Sequence, residues 1–150
     1  MKILRLQKEP FTAAEIAPLT EGRSDIGALV TFTGLCRDEE GRLAALEIEH
    51  YPGMAEAEIE RVVDEACRRW PLEGVLVIHR YGLIRPGEPI VLVATASKHR
   101  TEAFAAAQFL MDYLKTHAPF WKREHGPNGR VGDWVGAREE DEAAVRRWGG

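Results

Sequence analysis

Apolar and polar residues recur along this chain in two periods, and the changes from one to the other mark out its elements. Residues 2–6 (KILRL) alternate and read as a strand. Residues 26–33 (IGALVTFT) are apolar and β-branched and stop at Gly34, which predicts a second strand. In 43–50 (LAALEIEH), Leu46 and Ile48 fall on one face and Glu47 and Glu49 on the other, the pattern of a half-buried strand. Residues 75–81 (VLVIHRY) and 90–96 (IVLVATA) are nearly unbroken apolar runs and read as further strands. Between them, Arg85-Pro86-Gly87-Glu88-Pro89 is a rigid turn that favours antiparallel pairing.

Helical spacing governs the segments in between. Thr12–Glu15 has the capping-box pattern and predicts a short helix that stops near Pro18. After the Pro52-Gly53 turn, Ile59, Val62, Val63, Ala66, Cys67 and Trp70 define one apolar stripe. Pro71 closes that helix, and Arg68 and Arg69 suit the negative end of its dipole. A second helix is predicted from about Thr101 to Lys115, with Phe104, Ala107, Met111 and Leu114 inward, broken by Ala118-Pro119. The tail reads as a short strand (Asp133–Ala137), a charged helix (about Glu139–Trp148) and a frayed Gly149-Gly150 end. There is no internal repeat, low-complexity run or linker, so one domain is expected across residues 1–150. Strands and helices alternate irregularly, which predicts a two-layer α+β fold.

Composition narrows the class of function. The chain has 150 residues, 45% hydrophobic and 29% charged, as an ordinary globular protein does. Its formal net charge is −4, which argues against a nucleic-acid or membrane-surface binder. No apolar run is long enough to span a bilayer, and the first residues lack the apolar stretch of a signal peptide, so the cytoplasm is expected. Cys67 lies on the apolar stripe and reads as a core residue, whereas Cys36 follows Gly34 in a loop open to solvent. No CxxC, HExxH, GxGxxG, P-loop or GxSxG pattern is present, so neither a metal nor a nucleotide cofactor is expected.

Against this acidic background, basic residues crowd 98–138: Lys98, His99, Arg100, Lys115, His117, Lys122, Arg123, His125, Arg130 and Arg138. A solvated basic face is the simplest explanation of such a run. Aromatic residues are interleaved, however (Tyr113, Phe120, Trp121), and several cations sit at glycine or proline breaks. That combination suits a pocket for a small anionic ring compound, with cations on its charge and aromatics along its ring. Lys115 has a simple alternative role at a helix C-terminus, and Lys122 could lay its stem along an apolar surface. His79, isolated on a strand, reads as structural.

Several blocks then resemble the large, catalytic subunit of molybdopterin synthase. They are Val30–Gly34 with Arg37, Glu49–Met54, Val77–Arg80, Ser97–Arg100, Met111–Thr116 and Ala118–Glu124, in the family's order. The resemblance implies an α/β hammerhead fold with an additional antiparallel sheet. It implies a sulfurtransferase that converts cyclic pyranopterin monophosphate to molybdopterin. Two sulfurs come in turn from the thiocarboxylated C-terminal Gly-Gly of a small ubiquitin-like carrier subunit. It also implies a homodimer within a heterotetramer. Lys115 and Lys122 match the family's active-site lysines, and Arg37, flanked by Leu35 and Cys36, its pocket arginine. His99 and Arg100 match its substrate-binding pair, and Arg123 and Glu124 continue the binding stretch. A non-catalytic scaffold for the carrier, or a pterin-phosphate binder without sulfur chemistry, would carry the same outline. Finally, Arg100 and Lys115 lie at opposite ends of one predicted helix, about 22 Å apart at 1.5 Å per residue. A small pterin cannot span that distance, so the two are expected to meet only across a dimer.

Overall fold

The computed structural model describes residues 1–149 except 118, 137 and 138, and of 139–141 the backbone alone. Seven strands form two sheets. The larger has the order β1-β4-β6-β2, from β1 (Lys2–Gln7), β2 (Ala28–Leu35), β4 (Leu72–Arg80) and β6 (Pro89–Ser97). Strand β1 runs parallel to β4, and the other neighbours are antiparallel. The smaller sheet is antiparallel, in the order β5-β3-β7, from β3 (Ala45–His50), β5 (Gly82–Ile84) and β7 (Phe120–His125).

Both faces of β4 and β6 are covered, which is why these strands are continuous apolar runs and not alternating ones. On one face, α2 (Met54–Arg69) and α3 (Arg100–Thr116) pack Ile59, Val62, Val63, Phe109, Leu110 and Leu114 against Val75, Val77, Val91 and Val93. On the other, the segment through Phe11 and α1 (Ala17–Thr20) lays Phe11 and Leu19 over Leu76, Ile78, Leu92 and Ala94. A third cluster, Cys36, Ile48 and Ile84 with Leu46 and Phe120 against it, joins the small sheet to the end of the large one. The α+β expectation is met, with the small sheet as the additional antiparallel layer.

Local differences from the sequence reading have physical causes. Thr12 does cap a turn, its hydroxyl accepting from the Ala14 N–H, but the first turn is 3-10 and Pro18 sits inside α1. A proline in the first turn gives up only an N–H that has no helical partner anyway. Cys67 is exposed, on the flank of the stripe formed by Ile59, Val62, Val63 and Ala66, and is not a core residue. Phe104 is also exposed, at 61%. It shares a flank of α3 with Met111 on the side of edge strand β2, beyond which no further strand covers it. Strand β5 is only three residues long and β7 is polar in part, and their pairing with β3, not their own periodicity, makes them strands.

The expected 133–137 strand is a looser strap. Among the described residues it bridges to β7 at Lys122–Val135 and His125–Val131, and residue 137 lies outside them. Trp148, two residues from the end, is held in place. After α4 (Glu139–Arg146), Trp148 packs edge-on against Trp70 and Phe109. Its indole Nε1–H donates to Asp112 Oδ2 at 2.7 Å, and Gln108 donates to Oδ1 at 2.9 Å. A buried carboxylate is thus satisfied by the tail. Trp148→Phe removes one of those donors from a buried acceptor. It is expected to lower unfolding free energy by about 1–3 kcal/mol in urea titrations, with the denaturant slope unchanged.

Candidate active site

A cavity of about 680 Å³ opens where the ends of β2 and α3 meet β7. Three cations converge on it from separate elements. Arg37 follows β2, Lys115 lies in the last turn of α3, and Lys122 lies on β7. The helix C-terminus favours the Lys115 charge. Lys122 points in because β7 and β3 alternate: Phe120, Lys122 and Glu124 share a face with their partners Leu46 and Ile48. Arg37 is 83% exposed, and Glu39, 3.4 Å from its guanidinium, is exposed as well, so that pair holds it weakly. Leu35 and Phe32 form one wall, and Phe120 and Leu114 line another part.

Cys36 lines the cavity but is buried, contrary to the expected open loop. Its backbone accepts from Gly87 and donates to Glu88, tying it to the turn before β6, and its Sγ lies 3.8 Å from the Ile84 carbonyl. Burial, with Glu88 and Asp38 nearby, pushes the thiol pKa up, so it stays protonated and a poor nucleophile. Glu124 stands at the cavity edge. Arg123 adds to the wall, yet its guanidinium is engaged on the other face of the small sheet. Its Nε–H donates to Glu47 Oε1 at 2.7 Å, and its guanidinium carbon stacks 4.2 Å from the Trp134 ring centre. Glu47 also meets His125 Nε2 at 2.8 Å, and the Arg123 and His125 hydrogen bonds hold its carboxyl below the usual range.

His99 and Arg100 are not in this cavity. They flank the start of α3, in a shallow cleft with Gly27, Lys98 and Glu102. The full length of α3 separates that cleft from Lys115. Of the three aromatics expected as walls, only Phe120 lines the cavity. Tyr113 is buried against Phe109, and Trp121 packs edge-on with Tyr51. Phe32 takes the vacant role, on an edge strand that the sequence marks only as an apolar, β-branched run.

His79 is the site residue the sequence hid. It ends the apolar run of β4 and is buried, at the cavity floor. Its ring stacks on Phe120 at 4.0 Å and 12°. Nδ1 lies 2.8 Å from the Arg80 carbonyl, which can only accept, so Nδ1 carries the proton and Nε2 is a bare acceptor. Burial first, and the charges of Lys122 and Lys115 after it, lower its pKa to about 3. Below pH 6.5 the unfolded chain binds a proton that the folded one refuses, so stability falls as pH drops from 6.5 toward 3. Between pH 7 and pH 5 this costs about 2 kcal/mol. His79→Asn is expected to shrink the wild-type difference in urea stability between those pH values by about that amount. An unchanged difference would place the proton elsewhere.

Comparison with known proteins gives this geometry its context. The family model described as "MoaE protein" matches residues 6–117. The molybdopterin synthase catalytic subunit of Mesorhizobium japonicum is 64% identical over 146 residues, 97% of this chain and 92% of that protein. The solved structure of the molybdopterin biosynthesis MoaE protein from Burkholderia ambifaria superposes with a TM-score of 0.85 at 48% identity, covering 100% of this chain and 99% of that one. The crystal structure of molybdopterin synthase from Staphylococcus aureus gives a TM-score of 0.77 at 30% identity, covering 87% and 95%. By sequence and by fold together, the chain belongs to the MoaE family of molybdopterin synthase catalytic subunits.

Proposed function

We propose that the cavity is where cyclic pyranopterin monophosphate receives two sulfurs and becomes molybdopterin. The observation that carries this is the convergence of Arg37, Lys115 and Lys122 on one concave site in a chain of net charge −4. The substrate is a cyclic phosphate fused to a flat ring system, so it needs cations for its charge and apolar walls for its rings. Arg37 offers a planar fork of donors for phosphate oxygens, and Phe32 and Phe120 offer the walls. The sulfur nucleophile is the thiocarboxylate of the small carrier's Gly-Gly tail, and the name "catalytic subunit" in the relatives fits a second, carrier subunit. A protein thiol is then unnecessary, in keeping with a buried, protonated Cys36.

Lys115 is assigned the proton transfers that accompany sulfur attack, and it stabilises the intermediate that carries one sulfur. Lys122 acts beside it, offsetting the charge that develops on oxygen as the cyclic phosphate opens. Glu124 borders the same wall, and Leu35 forms part of the apolar rim. His99 and Arg100 bind the substrate of the neighbouring chain's cavity, so each site of the homodimer draws on both protomers and each carrier subunit serves one end of a heterotetramer. The length of α3, which keeps the two groups apart within a chain, supports that division. A cytoplasmic location is part of this proposal. Among the described residues, no helix is long and apolar enough to cross a membrane.

Lys115→Ala is expected to abolish dithiolene formation in a single turnover with thiocarboxylated carrier, while the thermal midpoint stays within a few degrees of wild type. Near-wild-type product would remove Lys115 from the chemistry. Tight carrier binding with no product from wild type would favour the scaffold reading. Mixing Arg100→Ala with Lys115→Ala chains is expected to restore part of the activity, because some mixed dimers hold one intact composite site. A mixture as inactive as each parent would place every site within a single chain.

A further inference from the structure

The strap of residues 131–136 forms one wall of the cavity, through Gly132, Asp133, Val135 and Gly136. It is the outermost strand-like segment beside β7, reached through a turn in which Asn128 and Gly129 both have positive φ. It is bonded directly to Lys122: the Lys122 N–H donates to the Val135 carbonyl at 2.9 Å, and the Val135 N–H donates back at 2.7 Å. The Gly132 N–H adds a bond to the Glu124 carbonyl at 2.8 Å. Little apolar burial supports this pairing. Val131, Trp134 and Val135 remain 47%, 41% and 53% exposed. An edge segment held by so few backbone bonds, with almost no core of its own, opens easily unless a side chain fixes it.

One set of side chains does so. Trp134 stacks on the Arg123 guanidinium at 4.2 Å, and Arg123 is in turn anchored on Glu47 of β3 at 2.7 Å. Arg123 and Glu47 are directly opposed across the β3–β7 ladder. The chain of contacts therefore crosses from the middle strand of the small sheet, over β7, to the strap. A planar guanidinium can accept an aromatic ring on its face while its edge remains bonded to a carboxylate, which a lysine could not do equally well.

We infer that Glu47, Arg123 and Trp134 form a clamp that positions Lys122 by holding the strap against β7. The Arg123 guanidinium then acts as a positioning group, although the residue lies next to Lys122 in the chain. This inference rests on the reading of Lys122 as a site residue. Sequence adjacency misleads here because successive residues of a strand point to opposite faces.

The test combines amide hydrogen exchange of the full chain with single-turnover sulfur transfer from thiocarboxylated carrier. Trp134→Ala and Arg123→Ala are expected to speed exchange at the Val135 and Lys122 amides. Each is expected to slow sulfur transfer about tenfold or more, as misplacement of a reacting group does, with pterin affinity unchanged. Trp134→Phe, which keeps a ring over the guanidinium, is expected to restore both. Glu47→Gln is expected to fall between wild type and Arg123→Ala. The inference is overturned if exchange at Val135 is unchanged in Trp134→Ala. It is also overturned if Arg123→Ala weakens pterin binding while Trp134→Ala leaves rate and affinity at wild-type values. Lys122→Ala, assayed alongside, separates the two readings. Full activity in that variant would refute the role of Lys122, and the exchange data would still decide whether the clamp exists.

Discussion

Helix α3 is a rigid strut, and the arrangement of the site depends on its being unable to move. It packs on the large sheet beside α2, and its N-terminal half carries small residues (Ala103, Ala106, Ala107) that let its backbone approach β6. Its C-terminal half carries Phe109, Leu110, Tyr113 and Leu114 into the main core. Asp112, on the same helix, is satisfied by Gln108 and by Trp148 from the end of the chain. With every face but a narrow flank occupied, the positions of Arg100 and Lys115 relative to each other are set by helix geometry alone. A site that needs both must draw them from different copies.

The second constraint is electrostatic. An acidic chain gathers Arg37, Lys115 and Lys122 at one concavity, whose lining also includes Glu39, Glu124 and Asp133. Cations drawn from three elements into one concavity suit an anionic ligand. The buried His79 beneath it stays neutral, being out of water and beside two lysines. It gives the cavity floor an uncharged acceptor, while Glu47 engages the guanidinium of Arg123, a further cation at the cavity wall.

Much of this was legible in the sequence, and the limits of that legibility are physical. The unbroken runs of β4 and β6 and the stripe of α2 are strong because long burial on one period leaves little ambiguity. The helix break after Lys115 and the length of α3 were readable too, and with them the separation of Arg100 from Lys115. Strands β5 and β7 were not, because tertiary pairing makes a strand of a segment such as Phe120–His125 whose own composition is mixed. Cys36 and Cys67 exchanged their expected environments, since one residue's place on a helix flank, or under a neighbouring turn, is decided by what packs there. His79 could have been suspected from a polar residue ending an otherwise apolar strand. Nothing local revealed that Arg123 faces away from Lys122, since that required knowing β7 was a strand.

The central claim is that one substrate is held by two chains. Its most direct test is a crystal structure of the dimer with cyclic pyranopterin monophosphate bound. The account predicts the pterin phosphate in contact with Arg37, Lys115 and Lys122 of one protomer and with His99 and Arg100 of its partner. A substrate whose contacts all come from a single chain, with His99 and Arg100 facing solvent, would contradict it.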